Sequence, residues 1–221
     1  FNLSVSSGDT PADYVDSIKI LIFFTMLTLL PSFIIMFTSF TRITVVFSLL
    51  KNAIGAQQSI PSQILVGLAI FLTIFIMQPV YTEINEVALK PYSNEEITFE
   101  QALENASNPI KDFMLKETRQ KDLELFVDAA KLNSGELTRK NIPLYSIVPA
   151  FAISELKTAF QIGFLLFVPF MVIDMIVASV LMSMGMMMLP PTVISLAFKL
   201  LLFVMVDGWN LIVKSLITSF S

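Results

Sequence analysis

Six charged side chains lie inside or at the start of long apolar segments, where a lone charge is disfavoured. Their formal signs balance, with Arg42, Lys157 and Lys199 against Glu155, Asp174 and Asp207. A charge at the centre of a bilayer costs at least ~2.5–3.5 kcal/mol, so such side chains usually face a protein interior or water and find partners. The balance predicts ion pairs, either within one chain or between subunits.

These charges leave several interpretations open. The ion pairs can simply fix helix register, or they can join subunits. A proton relay or ion-coordination site is an alternative, although relays often include His, which the chain lacks. Asp174 and Asp207 could also form an aspartyl dyad that shares a proton. Their contexts, VIDMI and MVDGWN, match neither the YD nor the GxGD signature of intramembrane aspartyl proteases.

The composition excludes several chemistries. The 221 residues include no Cys and no His, which removes disulfides, thiolate or imidazole metal sites, Cys nucleophiles and His general bases. There is no phosphate-binding loop and no GxGxxG motif. The net charge is −4, whereas a nucleic-acid binder usually carries a basic surface. The sequence therefore predicts a protein that is not an enzyme, needs no cofactor and binds no nucleic acid.

Long apolar segments must position these charges. With 55% hydrophobic and only 14% charged residues, the chain is typical of membrane proteins rather than soluble domains. About 20 apolar helical residues cover a hydrocarbon core of roughly 30 Å. Four segments are long enough: 18–50, 60–80, about 159–182 and 189 to about 217. Pro31 and Arg42 interrupt the first segment, and the other three also contain prolines, charges or polar residues.

A polar insert separates the second and third apolar segments. Residues 82–146 hold 12 of the 18 acidic and 8 of the 14 basic residues. Thr98 and Gln101 have the spacing of a helix capping box, and Asn108-Pro109 predicts a break with Pro109 opening a new helix. Apolar residues recur at helical spacing on both sides, at Ile110, Phe113 and Met114 and at Leu123, Phe126 and Val127. The insert is predicted to be a small amphipathic subdomain of two or three helices.

The predicted fold is therefore all-α, with two kinked apolar hairpins and one inserted polar helical subdomain. The divisions are a polar N-terminal part (1–17), the first hairpin (18–81), the insert (82–146) and the second hairpin (147–221). Residues 1–17 carry three Asp and no Lys or Arg, which suggests a mature N-terminus outside the cytoplasm; a trimmed N-terminus is the alternative. In that topology the insert also lies outside, and both hairpin turns point inward.

The turn of the second hairpin is unusually rich in methionine. The stretch MSMGMMMLPP (182–191) contains Met182, Met184, Met186, Met187 and Met188. Met can fill irregular core gaps, and its flexible thioether also suits surfaces that adapt to many partners. A lipid-facing tip would more often carry Trp, Tyr or Lys. A third interpretation is a constriction, because hydrophobic rings gate pores by dewetting.

Several stretches carry a family resemblance that covers most of residues 25–215. They are TSFTRITVVFSLLKNAIGAQQSIPSQILVGLAIFLTIFIMQPV, FMLKETRQKDLELF, PAFAISELKTAFQIGFLLFVPFMVIDMIVASVLMSMGMMMLPP and FKLLLFVMVDGWNLIV. The chain resembles the FliP family of the flagellar type III export apparatus. The homologous subunit of virulence type III secretion systems is the alternative, although FMLKETRQKDL looks flagellar.

The resemblance implies a structural and functional context. It implies a homopentamer that joins FliQ and FliR in an export gate, with FlhA and FlhB as further partners and unfolded flagellar proteins as substrates. The location implied is the inner membrane and flagellar basal body, with the insert on the periplasmic side. By the same resemblance, the five methionines of the turn form a gasket that narrows the pore. The resemblance also implies charge contacts between subunits, formed by Arg42, Glu155, Asp174 and Lys199.

Overall fold

The computed structural model describes residues 11–57, 59–132, 141–186 and 190–220, and this part of the chain is helical without strands. The elements in chain order are α1 (Pro11–Phe37), α2 (Phe40–Ile54), α3 (Ser62–Ile84), a π-helical segment (Asn85–Leu89), α4 (Lys90–Ser93), α5 (Phe99–Glu117), α6 (Gln120–Ala129), α7 (Leu144–Ser183), α8 (Pro191–Met205) and α9 (Gly208–Thr218). The prediction of an all-α fold is confirmed.

Helices α2 and α7 form the centre of the fold. The buried apolar residues of α2 recur every three or four positions, at Ile43, Val46, Phe47 and Leu50, which places them on one face. This face packs along α7, and α3, α8 and α9 complete the same core with Ala69, Phe203 and Leu216 among others. Since α2 is flanked on several sides, a polar residue on its inner face has to find its partners inside the protein.

Gly163 permits the close approach of α7 to α2. A methyl group built on Gly163 would lie 2.2 Å from Leu49 Cδ1 and 3.0 Å from Leu49 Cβ. The first distance can be relieved by rotating the leucine, but the second involves an atom fixed to the backbone of α2. The spacing of the two central helices therefore depends on the absence of a side chain at this position.

We expect Gly163→Ala to lower the free energy of unfolding by roughly 1–3 kcal/mol, the usual cost of overpacking a core. Gly67→Ala is the matched control, because a methyl group there meets no atom within 4 Å. Removing a helical glycine at such an open site should stabilise the protein by about 0.5–1 kcal/mol. Thermal unfolding in detergent, followed by circular dichroism, measures both changes. Equal effects of the two substitutions would contradict the close-packing role of Gly163.

Two of the apolar segments are broken into separate helices. The first segment breaks at Thr38-Ser39, between α1 and α2, and Thr38 Oγ1 donates a hydrogen bond to the carbonyl of Ile34. Arg42, which interrupts the run of apolar residues in the sequence, lies inside α2 and does not break the helix. The fourth segment breaks before Gly208, where α8 and α9 meet at a bend of 64°. A bend of 45° at Pro31 agrees with the predicted proline kink.

The insert begins as a continuation of α3 and ends against α7. The capping box is confirmed, because Thr98 accepts from the Gln101 amide and Gln101 accepts from the Thr98 amide. The predicted break at Asn108-Pro109 is wrong, since α5 runs through Pro109. The proline removes one backbone hydrogen bond. The helix persists because Pro109 is buried and both halves of α5 are held by packing against neighbouring helices.

Two continuous helical runs are long and apolar enough to cross a membrane. They are Ser62–Ser93, which combines α3, the π-helical segment and α4, and Leu144–Ser183, which is α7. The number rises to four if each of the two bent pairs, Ile18–Phe37 and Pro191–Thr218, is counted as one span. These counts refer to the described residues and depend only on the length and composition of each helix.

Candidate functional site

Arg42 lies at the centre of a buried cluster of charges. Its Nε donates to Glu155 Oε2 at 3.0 Å, and its Nη2 donates to the other oxygen of the same carboxylate. Nη2 also donates to Glu117 Oε2 at 2.8 Å. Arg42 is 2% exposed and Glu155 is 0% exposed. A two-pronged guanidinium–carboxylate pair of this kind offsets much of the cost of removing both charges from water.

The segment that follows α9 completes this cluster. Arg42 Nη1 donates to the backbone carbonyl of Ser219 at 2.8 Å and to its hydroxyl at 3.0 Å. The guanidinium carbon lies 3.7 Å from the centre of the Phe220 ring, a cation–π contact. Lys116 Nζ donates to the carbonyl of Phe220 at 3.3 Å. One arginine of α2 thus connects α5, α7 and the end of α9.

A second polar network ties α6 to the same part of α7. The Ser154 hydroxyl donates to Asp122 Oδ2 at 2.6 Å and accepts from the Arg119 amide at 3.0 Å. Arg119 also pairs with Asp122 through its side chain. Burial alone would raise the pKa of Asp122, but the hydrogen bonds from Ser154 and Arg119 and the nearby positive charges hold that pKa below its ordinary value. This carboxylate therefore stays charged and holds α6 against α7.

The second predicted pair joins α7 to α8. Lys199 Nζ donates to Asp174 Oδ2 at 2.6 Å and to the carbonyl of Ala53 at 3.2 Å. The Ser195 hydroxyl donates to Asp174 Oδ1 at 2.6 Å. The lysine side chain is 8% exposed, whereas that of Asp174 is 38% exposed. Lys199 thus links α8 to α7 and to the end of α2, while one side of Asp174 stays open.

The structure gives all four predicted charged residues a partner within one chain, as Arg42–Glu155 and Asp174–Lys199. It does not bring the proposed dyad together. The side-chain partners of Asp174 are Lys199 and Ser195, and Asp207 lies beyond the end of α8, at the start of α9. Contacts of these charges between subunits stay a prediction.

The methionine-rich turn leaves the helical core. Met182, Met184 and Met186 are 64%, 66% and 39% exposed, while Met187 and Met188 lie outside the described residues. Gly185 has a φ of +75°, a left-handed conformation that a residue with a side chain rarely adopts. The glycine therefore turns the chain away from the axis of α7, and Met186 follows this turn.

The sequence pattern did not indicate five further partners in these clusters. They are Glu117, Ser219 and Phe220 around Arg42, Ser154 beside Asp122, and Ser195 beside Asp174. Glu117 and Asp122 both fall in the FMLKETRQKDLELF stretch. Their partners are far away in the chain, so no local spacing could identify them. Among the described residues, no group of three or more His, Cys, Asp or Glu side chains could hold a metal ion.

An all-helical fold with long apolar helices, ion pairs buried between those helices and an exposed apolar turn fits the class of helical membrane proteins. The profile of the FliP family matches residues 23–216. The chain belongs to the FliP family, and the resemblance seen in the sequence is confirmed.

Similar proteins cover nearly the whole chain. Flagellar biosynthetic protein FliP of Bacillus subtilis (strain 168) is 54% identical over 218 residues, which are 99% of this chain and 98% of that protein. The protein of the same name from Aquifex aeolicus (strain VF5) is 52% identical over 207 residues, covering 93% and 87%. That of Treponema denticola is 43% identical over 221 residues, covering 99% and 81%.

Proposed function

We propose that the chain is a core subunit of the flagellar type III protein export gate. Five copies, together with FliQ and FliR, surround a pore through which unfolded flagellar proteins are exported. FlhA and FlhB act as further partners. The gate lies in the inner membrane at the flagellar basal body, with the insert and the N-terminal part on the periplasmic side.

The observation that carries this proposal is the match of the FliP family to residues 23–216, together with relatives named flagellar biosynthetic proteins. The flagellar names favour this system over the virulence type III system. The long apolar helices are consistent with a location in the inner membrane. The buried clusters support a structural role, because each of their charged groups holds helices together.

The exposed methionines support a gasket in the pore. In this proposal Met182, Met184, Met186, Met187 and Met188 of several copies form one deformable apolar ring. Water leaves a narrow apolar ring, so ions do not cross it. Unbranched thioethers can still move aside for chains of different sequence. The exposure of the three described methionines leaves them available for contact with other subunits or a passing chain.

The four residues predicted to form charge contacts between subunits differ in how exposed they are in the single chain. Asp174 keeps a 38% exposed side chain after binding Lys199, so its carboxylate can also reach a neighbouring copy. Arg42, Glu155 and Lys199 are enclosed within the chain. We propose that these three act on the assembly by fixing the helices whose outer faces meet the neighbours.

Cross-linking a stalled substrate tests whether the lumen carries protein. We expect a photo-reactive residue in place of Met187 to form a covalent product with a substrate stalled by a folded domain. The same residue at Phe75, which is 60% exposed on α3, should form none. Mass spectrometry of the purified product identifies the partner. A passive assembly platform predicts the opposite result, namely no substrate product at position 187 in a gate that contains a stalled substrate.

A further inference from the structure

A groove of about 680 Å³ lies between α9 and α3 and differs in chemistry from its surroundings. Leu68, Val213 and Ile217 contribute apolar side chains to it. Asp207, Asn210, Lys214 and Thr218 contribute polar ones. These four are spaced three, four and four residues apart, so they follow one side of α9 as a stripe. We call them the α9 polar stripe.

The apolar helices next to this stripe present very different surfaces. On α3, Ile70, Phe71, Ile74 and Phe75 are all at least 47% exposed and form an apolar outer face. On α8, Val204 and Met205 are 74% and 76% exposed, immediately before the bend that leads into α9. Such faces suit lipid or an apolar partner. A row containing a carboxylate, an amide, an ammonium group and a hydroxyl does not, because each of them loses hydrogen bonds with water when it is covered by hydrocarbon.

The two charged side chains of the stripe have no partner inside the described part of the chain, whereas the Thr218 hydroxyl donates a hydrogen bond to the carbonyl of Lys214. Arg42 and Lys199, the cations of the two buried clusters, each contact a carboxylate at 3.0 Å or less. Asp207 and Lys214, in contrast, make no side-chain hydrogen bond or ion pair among these residues, and both are exposed. They are also two helical turns apart, about 10 Å along the axis, too far to pair with each other.

Along the chain, the stripe is separated from the methionine-rich turn by one helix. The 15 residues of α8 separate this turn from the start of α9, a distance of about 22 Å along the helix. At its other end, α9 leads into Ser219, which binds Arg42 beside Glu117 of the insert. The stripe therefore occupies the level between the methionine-rich turn and the insert.

We propose that the α9 polar stripe faces the aqueous path of the exported polypeptide, between the methionine-rich turn and the insert. An extended chain presents backbone N–H and C=O groups along its length. The carboxylate of Asp207 and the ammonium group of Lys214 can bind these groups in turn. Asn210 can both donate and accept, and Thr218, whose hydroxyl donates to the carbonyl of Lys214, can accept. Contacts of this kind bind the backbone of an exported chain whatever its amino-acid sequence. The inference rests on the proposed export function and assigns the surface of the subunit that lines the path.

Thiol labelling of the assembled gate tests this assignment. The chain contains no Cys, so a single introduced cysteine is the only thiol in this subunit. Asp207→Cys, Asn210→Cys and Lys214→Cys should react with a charged, water-soluble methanethiosulfonate at least about tenfold faster than Ile74→Cys and Phe75→Cys, because thiolate formation and access both require water. A stalled substrate should slow labelling of the stripe and leave the two α3 positions unchanged.

The outcomes separate this inference from the proposed function. If a stalled substrate cross-links at position 187 but the stripe is unreactive, a neighbouring subunit covers the stripe and the inference is wrong. If the stripe reacts but the substrate does not protect it, the exported chain takes another path and the inference is also wrong. Absence of substrate cross-linking at position 187 counts against the proposed function instead. Native mass spectrometry of each variant confirms that the labelled complex is intact.

Discussion

Replacing Arg42 by methionine is expected to lower the free energy of unfolding by about 3–5 kcal/mol, the usual effect of removing one partner from a buried ion pair. The substitution keeps an unbranched side chain but leaves Glu155 and Glu117 facing each other without a cation. It also removes both hydrogen bonds to Ser219. Thermal unfolding in detergent measures the loss, and native mass spectrometry reports how much of the oligomer survives.

Arg119→Met is the control for this experiment. Arg119 also pairs with a carboxylate, that of Asp122, but its side chain is 32% exposed. Partly exposed pairs contribute about 0–1 kcal/mol, so the control should unfold close to the parent protein. A double replacement, Arg42→Met with Glu155→Met, should recover part of the loss, because it removes one of the two unpaired carboxylates. Equal destabilisation by Arg42→Met and Arg119→Met would contradict the central role of the buried cluster.

Replacing all five methionines of the turn by alanine is expected to make the assembled gate leak ions. Five subunits each lose several long apolar side chains, so the ring widens and water can fill it. A tenfold rise in conductance requires a barrier lower by only ~1.4 kcal/mol, and we expect a rise of about tenfold or more. Current across planar bilayers that contain the purified complex measures the change.

Two matched variants test the cause of the leak. Leucine at the same five positions keeps apolar bulk, so the gate should stay closed to ions. Alanine in place of Met171 and Met175, which are 51% and 58% exposed on α7, removes two methionines away from the turn and should leave conductance unchanged. Unchanged conductance in the five-alanine variant would contradict the gasket, and a leak of equal size in the α7 variant would show that the position of the methionines is irrelevant.

The structural error made from the sequence has a clear physical origin. A proline usually opens a helix or ends one, which led to the predicted break at Asn108-Pro109. The helix nevertheless continues, because burial of Pro109 and packing on both sides outweigh one missing hydrogen bond. Tertiary packing also explains why Arg42 can lie within α2, because the distant acidic side chains of Glu155 and Glu117 pair with it.

The sequence by itself determined the features that depend on neighbouring residues and on composition. The helical class follows from apolar runs and their spacing, and the capping box follows from Thr98 and Gln101 three positions apart. The long quoted stretches were sufficient to identify the family. The balance of charges within apolar segments also predicted ion pairs, which the structure contains as Arg42–Glu155 and Asp174–Lys199.

Only the tertiary structure decided which groups form the pairs. Arg42 binds Glu155 across 113 positions and Ser219 across 177, and Lys199 reaches the carbonyl of Ala53 across 146. The stripe on α9 was likewise not predicted from the sequence, because Asp207 was expected to form an ion pair like the other charges in the apolar segments. Such contacts depend on how helices pack after the chain has folded, and hydrophobic periodicity fixes the inner face of each helix without fixing its partner.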